Sequence, residues 1–379
     1  MDRLFPFLDL GKVNEPYIEA LSEAAVRVVK SGRYIGGEEV ESFERELGNY
    51  LGAPYIIGVS NGLDALRLTL RAWVVTGRLT VGDEVIVPAN TYVASVLAIS
   101  DAGLVPVLAD PDEMSMNITA EGIKRHLSAK TRAVMPVHLY GRVAWDRDIR
   151  DVVEDNGLLV LEDCAQAIGA RSVWQGLHGG VMAGALGHAG ALSFYPTKNT
   201  GALGDAGAVV THDAELAATV RALANYGADR RYHNIYQGFN CRLDPLQAAM
   251  LRVKLPFTDR ENADRFEKAL AYWRTIDRKD VIKPLMSAAV TDCVWHQYVI
   301  RVTDGRRDEF QKKLAELGVE TDIHYAVPPH MQPCYRDKPH LPLPVTERIA
   351  GELLSLPIAR GTTVDDVVEI SRIINSIEL

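Results

Sequence analysis

The chain has 379 residues, 47% hydrophobic and 24% charged, a globular composition that can bury one large core and a smaller one. Its formal net charge of −9 argues against a general affinity for nucleic acid or an anionic membrane, so any anionic ligand needs a local pocket. The opening MDRLFPFLDLG, broken by Asp2, Pro6 and Asp9, does not read as a leader, and no later stretch reaches the roughly 18 uninterrupted apolar residues of a spanning helix, so a soluble, cytoplasmic protein is expected.

Asn14 reads as a helix cap, because apolar residues recur behind it at Ile18, Leu21, Ala25 and Val28/Val29 until Ser31-Gly32. Short apolar runs then alternate with helical patterns: 55–59, 84–87, 105–108, 133–137 and 158–161. Runs of this kind predict strands buried on both faces, and the helical spacers supply the crossovers that parallel strands require. A long helical pattern over 244–274 follows, then a strand-like run over 295–302, a helix near 308–317, a Pro-rich segment over 327–344 and a final amphipathic helix. The expected fold is α/β, with a large, mostly parallel sheet domain over 1–248 and a smaller C-terminal α+β domain over 249–379. Cys164, Cys241, Cys293 and Cys334 form neither CxxC nor a Cys/His zinc pattern, and read as buried apolar side chains or surface thiols.

Three stretches carry polar chemistry. Gly58-Val59-Ser60-Asn61-Gly62-Leu63-Asp64 turns a strand into a helix and leaves backbone N–H groups at a helix start, which suits a phosphate; a plain capping turn is equally open. Leu161-Glu162-Asp163-Cys164-Ala165-Gln166 delivers two carboxylates to a strand end, one of which should face the crevice as a ring-nitrogen partner, metal ligand or cap. A metal centre of Asp163 with His138 or His178 lacks a compact ligand pattern, and no metal is expected. Finally, Ser193-Phe194-Tyr195-Pro196-Thr197-Lys198-Asn199 places a lysine past a strand, ahead of small glycines. A phosphate turn, a strand-end acid and a lysine able to form an imine are together what pyridoxal phosphate (PLP) chemistry asks of a protein.

These stretches, with Gly32-Arg33-Tyr34-Ile35-Gly36-Gly37, Gly82-Asp83-Glu84-Val85-Ile86-Val87-Pro88-Ala89-Asn90-Thr91-Tyr92, Pro136-Val137-His138-Leu139-Tyr140-Gly141, Asn225-Tyr226-Gly227 and Asn240-Cys241-Arg242-Leu243-Asp244, occur in an order that closely resembles the DegT/StrS family of PLP-dependent nucleotide-sugar aminotransferases over nearly the whole chain. The resemblance implies a fold-type I, aspartate aminotransferase-like architecture. It implies that Lys198 links covalently to the cofactor, Asp163 pairs with its ring nitrogen, Tyr92 stacks on its ring and Gln166 lies near its 3-hydroxyl. Backbone groups of Gly62 and Leu63 and the Ser193 hydroxyl would hold the phosphate, with Asn61 also in the cofactor site and Asn240 reaching over from the second subunit of a homodimer. Position 63 is Leu where the family often has Thr, and position 164 is Cys where Ala is usual. The implied reaction passes the amine of L-glutamate through pyridoxamine phosphate to a dTDP-linked keto sugar, with C3 of a 3-keto-6-deoxyhexose favoured by the motif wording. A C4 aminotransferase, an amino-cyclitol aminotransferase and a non-catalytic PLP-binding sensor are the alternatives. Tyr195, Arg33, Arg231, His324, Tyr325 and His330 are candidate substrate contacts, with Arg230 beside them, and the product sugar is expected in lipopolysaccharide O-antigen, another surface glycan or a glycosylated small molecule.

Overall fold

A computed structural model describes residues 4–286 and 291–378. Seven strands form the main sheet: β1 (Tyr55–Val59), β2 (Glu84–Pro88), β3 (Val105–Ala109), β4 (Thr131–Val134), β5 (Leu159–Asp163), β6 (Ala189–Ser193) and β7 (Gly207–Thr211). Their order is β1-β7-β6-β5-β4-β2-β3, and only β7 runs antiparallel to its neighbours. The apolar runs form these strands because both faces of the sheet are covered: β7 is buried along its whole length, while the edge strands β1 and β3 begin on the exposed Tyr55 and Val105. Side chains alternate across the sheet, so Ala191 joins one apolar cluster with Leu66, Leu70, Trp73 and Leu161, and Leu192 joins another with Phe43, Leu47, Phe194 and Leu251.

A two-stranded ribbon, β8 (Ala228–Arg230) with β9 (His233–Asn234), projects after the main sheet. The last sheet is antiparallel, in the order β10 (Val281–Ile282), β11 (Tyr298–Val302), β12 (Leu353–Leu356). Its core gathers Tyr298, Ile300, Phe310, Leu354, Ile370 and Ile374. Phe5, from the other end of the chain, packs into this core and pairs with Val319.

Three expected elements differ. Asn14 does not cap the helix Ile18–Ser31; it ends a short helix of its own, and its amide donates back to the Leu10 carbonyl. That second helix does stop at Gly32, whose φ of +65° is a left-handed cap that glycine adopts without penalty. The pattern over 244–274 divides into the helices Pro245–Lys254 and Thr258–Thr275, because Pro256 cannot donate a backbone hydrogen bond and tightens 255–257 into a 3₁₀ turn. The run over 295–302 becomes a strand only at Tyr298, since Trp295 has a φ of +49° that takes it out of extended backbone. All four cysteines are free, with Cys334 alone exposed. Among the described residues no helix is long and apolar enough to cross a membrane.

Candidate active site

The pairing registers bring the chemistry-bearing stretches together. Val59 and Ser193 both pair with Gly207, so the ends of β1 and β6 lie abreast on either side of β7; β5 ends beside β6, where Asp163 pairs with Ala191. The loops leaving these ends line a cavity of about 540 Å³, at the place where open α/β sheets bind ligands.

At one side of it the helix Gly62–Val75 begins. The Asn61 side chain caps it, its Oδ1 accepting the Asp64 N–H at 2.8 Å, while the N–H groups of Gly62 and Leu63 have no hydrogen-bond partner among the described residues. A cap and an anion site are therefore compatible here, because the cap uses the third N–H and leaves the first two. Close approach requires glycine twice. A Cβ on Gly62 would stand 2.7 Å from the Cβ of Ser193, and one on Gly207 would stand 2.4 Å from the carbonyl carbon of Asn61. The Ser193 hydroxyl is thus held against the helix start, and together with the two free N–H groups it makes three donors that could hold a phosphate.

The paired acids of β5 separate. Glu162 is fully buried: its Oε2 accepts from the Gly184 N–H at 2.9 Å and from Nε2 of His138 at 2.8 Å, and its Oε1 accepts from Leu186 and Gly187 at 2.8 Å each. Asp163 points the other way and lines the cavity. Its Oδ2 accepts from the Ser95 hydroxyl at 2.7 Å and its Oδ1 from the Ala165 N–H at 3.1 Å. His138 is thereby committed to Glu162 and not to Asp163, and its Nδ1 accepts the Ala144 N–H. His138, Glu162 and Cys164 form the one His/Cys/Asp/Glu grouping of metal-binding spacing among the described residues, and protein donors already occupy the histidine and the carboxylate.

Lys198 lines the cavity within the field of Asp163. Its side-chain amine makes no hydrogen bond among the described residues. Burial lowers its pKa to about 8, against an opposing pull from the Asp163 carboxylate, so the amine reaches its neutral, nucleophilic form at a much lower pH than a free lysine.

Tyr92 is 55% exposed at the rim, which excludes a core role, and its ring lies 5.0 Å from that of Tyr325. Gln166 is not a helix cap; its Oε1 accepts the Tyr140 N–H and its Nε2 donates to the Tyr325 hydroxyl at 3.0 Å. Tyr195 and His324 also line the cavity, and burial with the nearby carboxylate of Asp163 raises the pKa of Tyr325. Four candidates lie elsewhere. Asn240 is exposed on a turn paired to Asn225 and does not reach its own chain's cavity. Arg33 is exposed on the loop after Gly32. Arg231 sits on the β8–β9 ribbon, its guanidinium over the Tyr232 ring, and lines a separate cavity of about 410 Å³ with Arg230. His330 is buried, with Nε2 3.3 Å from Glu347 and its ring against His340, and it does not line the cavity. Thr91, Ser95, Thr197, Asp205, His296 and Gln297 also belong to this region: Thr91, Thr197 and Asp205 stand inside or beside marked stretches without having been singled out, while Ser95, His296 and Gln297 lay in no marked motif.

A phosphate cradle, a buried carboxylate and a free lysine amine around one cavity fit the demands of PLP. The profile of the DegT/DnrJ/EryC1/StrS aminotransferase family matches residues 17–377. The chain belongs to this family. It is a PLP-dependent aminotransferase of fold-type I architecture. Among its relatives, the dTDP-3-amino-3,6-dideoxy-α-D-galactopyranose transaminase of Aneurinibacillus thermoaerophilus is 44% identical over 375 residues, covering 98% of this chain and 99% of that one. The erythromycin biosynthesis sensory transduction protein EryC1 of Saccharopolyspora erythraea is 42% identical, covering 93% and 94%. The crystal structure of DesV from S. venezuelae superposes with a TM-score of 0.91 at 39% identity, covering 98% of each chain.

Proposed function

We propose that this aminotransferase moves the amino group of L-glutamate onto C3 of a dTDP-linked 3-keto-6-deoxyhexose, giving 2-oxoglutarate and a dTDP-3-amino-3,6-dideoxyhexose. The observation that carries the chemistry is the unpartnered Lys198 amine lining the same cavity as Asp163 and within its field. The observation that carries the substrate is the relative whose named sugar bears nitrogen at C3 of a 3,6-dideoxyhexose.

When bound, PLP supplies an aldehyde that takes up the amine and a ring that accepts an electron pair. Lys198 holds that aldehyde, and its neutral amine, once released, carries the proton between the two carbon ends of the transfer. Asp163 holds the proton on the ring nitrogen, itself kept in place by Ser95 and the Ala165 N–H. Gly62, Leu63 and Ser193 bind the phosphate; Asn61 braces that helix start, Tyr92 covers the ring, and Gln166 positions Tyr325 beside it. Tyr195, His324 and Tyr325 contact the substrate from the cavity wall. Asn240, Arg33 and Arg231 act, on this proposal, across the interface of a homodimer, since each is exposed and none lines its own chain's cavity. We further propose the two units 1–248 and 249–379, with the helix Pro245–Lys254 bridging them, Leu251 packing into the first and Phe5 into the second, a cytoplasmic location and a role in making a surface glycan such as O-antigen.

The test is to incubate the purified holoenzyme with glutamate and each keto-sugar nucleotide, then locate the new nitrogen by NMR. Nitrogen at C4, or on a cyclitol, overturns the proposed substrate. The name of EryC1 favours a second reading, a cofactor-binding regulator without turnover. That reading predicts that glutamate leaves the visible spectrum of the yellow holoprotein unchanged, whereas ours predicts its bleaching to the pyridoxamine form.

A further inference from the structure

Asn199 follows Lys198, and its side chain is fully engaged. Its Nδ2 donates to the Val294 carbonyl at 3.0 Å and to Oδ1 of Asn262 at 2.8 Å. Asn262 in turn donates its own Nδ2 to the Ile168 carbonyl at 2.9 Å. Two main-chain carbonyls, which can only accept, therefore orient both amides, so Oδ1 of Asn199 is left as an acceptor. The group facing it is Nδ1 of His296, at 3.1 Å. That nitrogen must carry the ring proton, and Nε2 keeps a bare lone pair on a side chain that lines the cavity. His296 is buried, and burial together with Lys198, Arg265 and His324 holds its pKa well below the ordinary value, which keeps the ring neutral. His296 and Val294 come from the segment leading into β11, about a hundred residues from the lysine, while Asn262 comes from the helix Thr258–Thr275.

We propose that His296 is a positioning residue for Lys198: its Nδ1–H latches Asn199, tying the lysine loop to the segment before β11 and holding the amine beneath the cavity wall as a neutral nucleophile. The inference rests on the reading of Lys198 as the cofactor-linking lysine, but the latch itself is a property of the chain. The charged or titratable groups around this arrangement are Asp163 on β5, Asp205 after the lysine loop, Arg265 on the helix Thr258–Thr275, His324, and the cavity tyrosines Tyr92, Tyr195 and Tyr325.

The test reads the lysine directly. The full-length chain freed of cofactor is treated with acetic anhydride at a series of pH values, and acetylation of the Lys198 peptide is quantified by mass spectrometry, alongside a melting curve for each variant. Wild type is expected to show a midpoint near 8. His296→Asn, whose Nδ2 can replace the Nδ1–H donor, is expected to keep it. His296→Leu and Asn199→Ala, which break the latch by either end, are expected to move it toward 10.5, the ordinary lysine value, with about a tenfold loss of reactivity at pH 7 for each one-unit rise. The latch is overturned if the broken variants melt lower but keep the wild-type midpoint, or if His296→Asn follows His296→Leu. Should His296→Leu fail to fold, Asn199→Ala decides alone. Borohydride reduction of the holoenzyme separately tests whether Lys198 binds the cofactor at all: no adduct on its peptide removes the reading beneath the inference, whereas an adduct with an unmoved midpoint removes only the latch.

Discussion

Glu162→Gln separates a structural acid from a functional one. The Glu162 carboxylate accepts four hydrogen bonds from nitrogen donors, the N–H groups of Gly184, Leu186 and Gly187 and Nε2 of His138, besides a long one from the Cys164 thiol at 4.0 Å. A glutamine keeps one oxygen and turns an NH₂ toward the remaining donors, so two bonds to a charged acceptor are lost. His138 cannot relieve the conflict by moving its proton, because its Nδ1 already accepts the Ala144 N–H at 2.9 Å. Each bond to a charged group contributes about 1.5–3 kcal/mol, so the expected loss is about 3–6 kcal/mol, a large part of the 5–15 kcal/mol that holds a typical protein folded. Differential scanning calorimetry should show a fall of roughly 6–12 °C, at about 2 °C per kcal/mol for a long chain. The neighbouring Asp163→Asn should melt near wild type, because the Ser95 hydroxyl can turn to donate or accept, yet lose at least about 100-fold in turnover, the lower end for a positioned acid–base group. An unmoved melting temperature for Glu162→Gln would refute the reasoning, as would equal effects of the two substitutions on stability and rate.

Lys198→Ala should abolish the borohydride-fixed adduct and nearly all turnover while the melting curve of the cofactor-free chain stays within about 2 °C; near-normal activity would remove the lysine assignment. Because burial disfavours the ammonium form of Lys198, whose pKa falls to about 8, capture of PLP by the cofactor-free protein requires the proton to leave first. Stopped-flow absorbance should therefore show the capture rate falling about tenfold per unit below that pH and levelling above it; a rise continuing to pH 10 contradicts the buried lysine. Gly62→Ala drives a methyl group to 2.7 Å from Ser193 and should weaken cofactor binding in equilibrium titration. Overpacking of about 1–3 kcal/mol corresponds to roughly 5- to 150-fold, and unchanged affinity argues against the cradle. Analytical ultracentrifugation should find the mass of two chains, and a monomer with full activity would exclude a site completed by Asn240 from a partner.

Much of this architecture is legible in local pattern. The apolar runs at 55–59, 84–87 and 105–108 became β1, β2 and β3, the last two one residue longer than the runs, because a strand buried on both faces cannot tolerate polar interruption. The turn after Val59, the lysine after Ser193 and the acids closing β5 each announce a strand end, and strand ends of a parallel sheet meet at one edge. Pattern alone could not tell which of Glu162 and Asp163 faces the cavity: consecutive residues of a strand point to opposite faces, and only the packing of the 184–187 loop on one face and Ser95 on the other assigns them. Nor could it find His296, Asn262 and Val294, whose partnership with Asn199 spans 63 to 97 residues of chain, or withdraw His330 from the cavity, since contacts between distant segments follow from how layers stack and not from the spacing along any one of them.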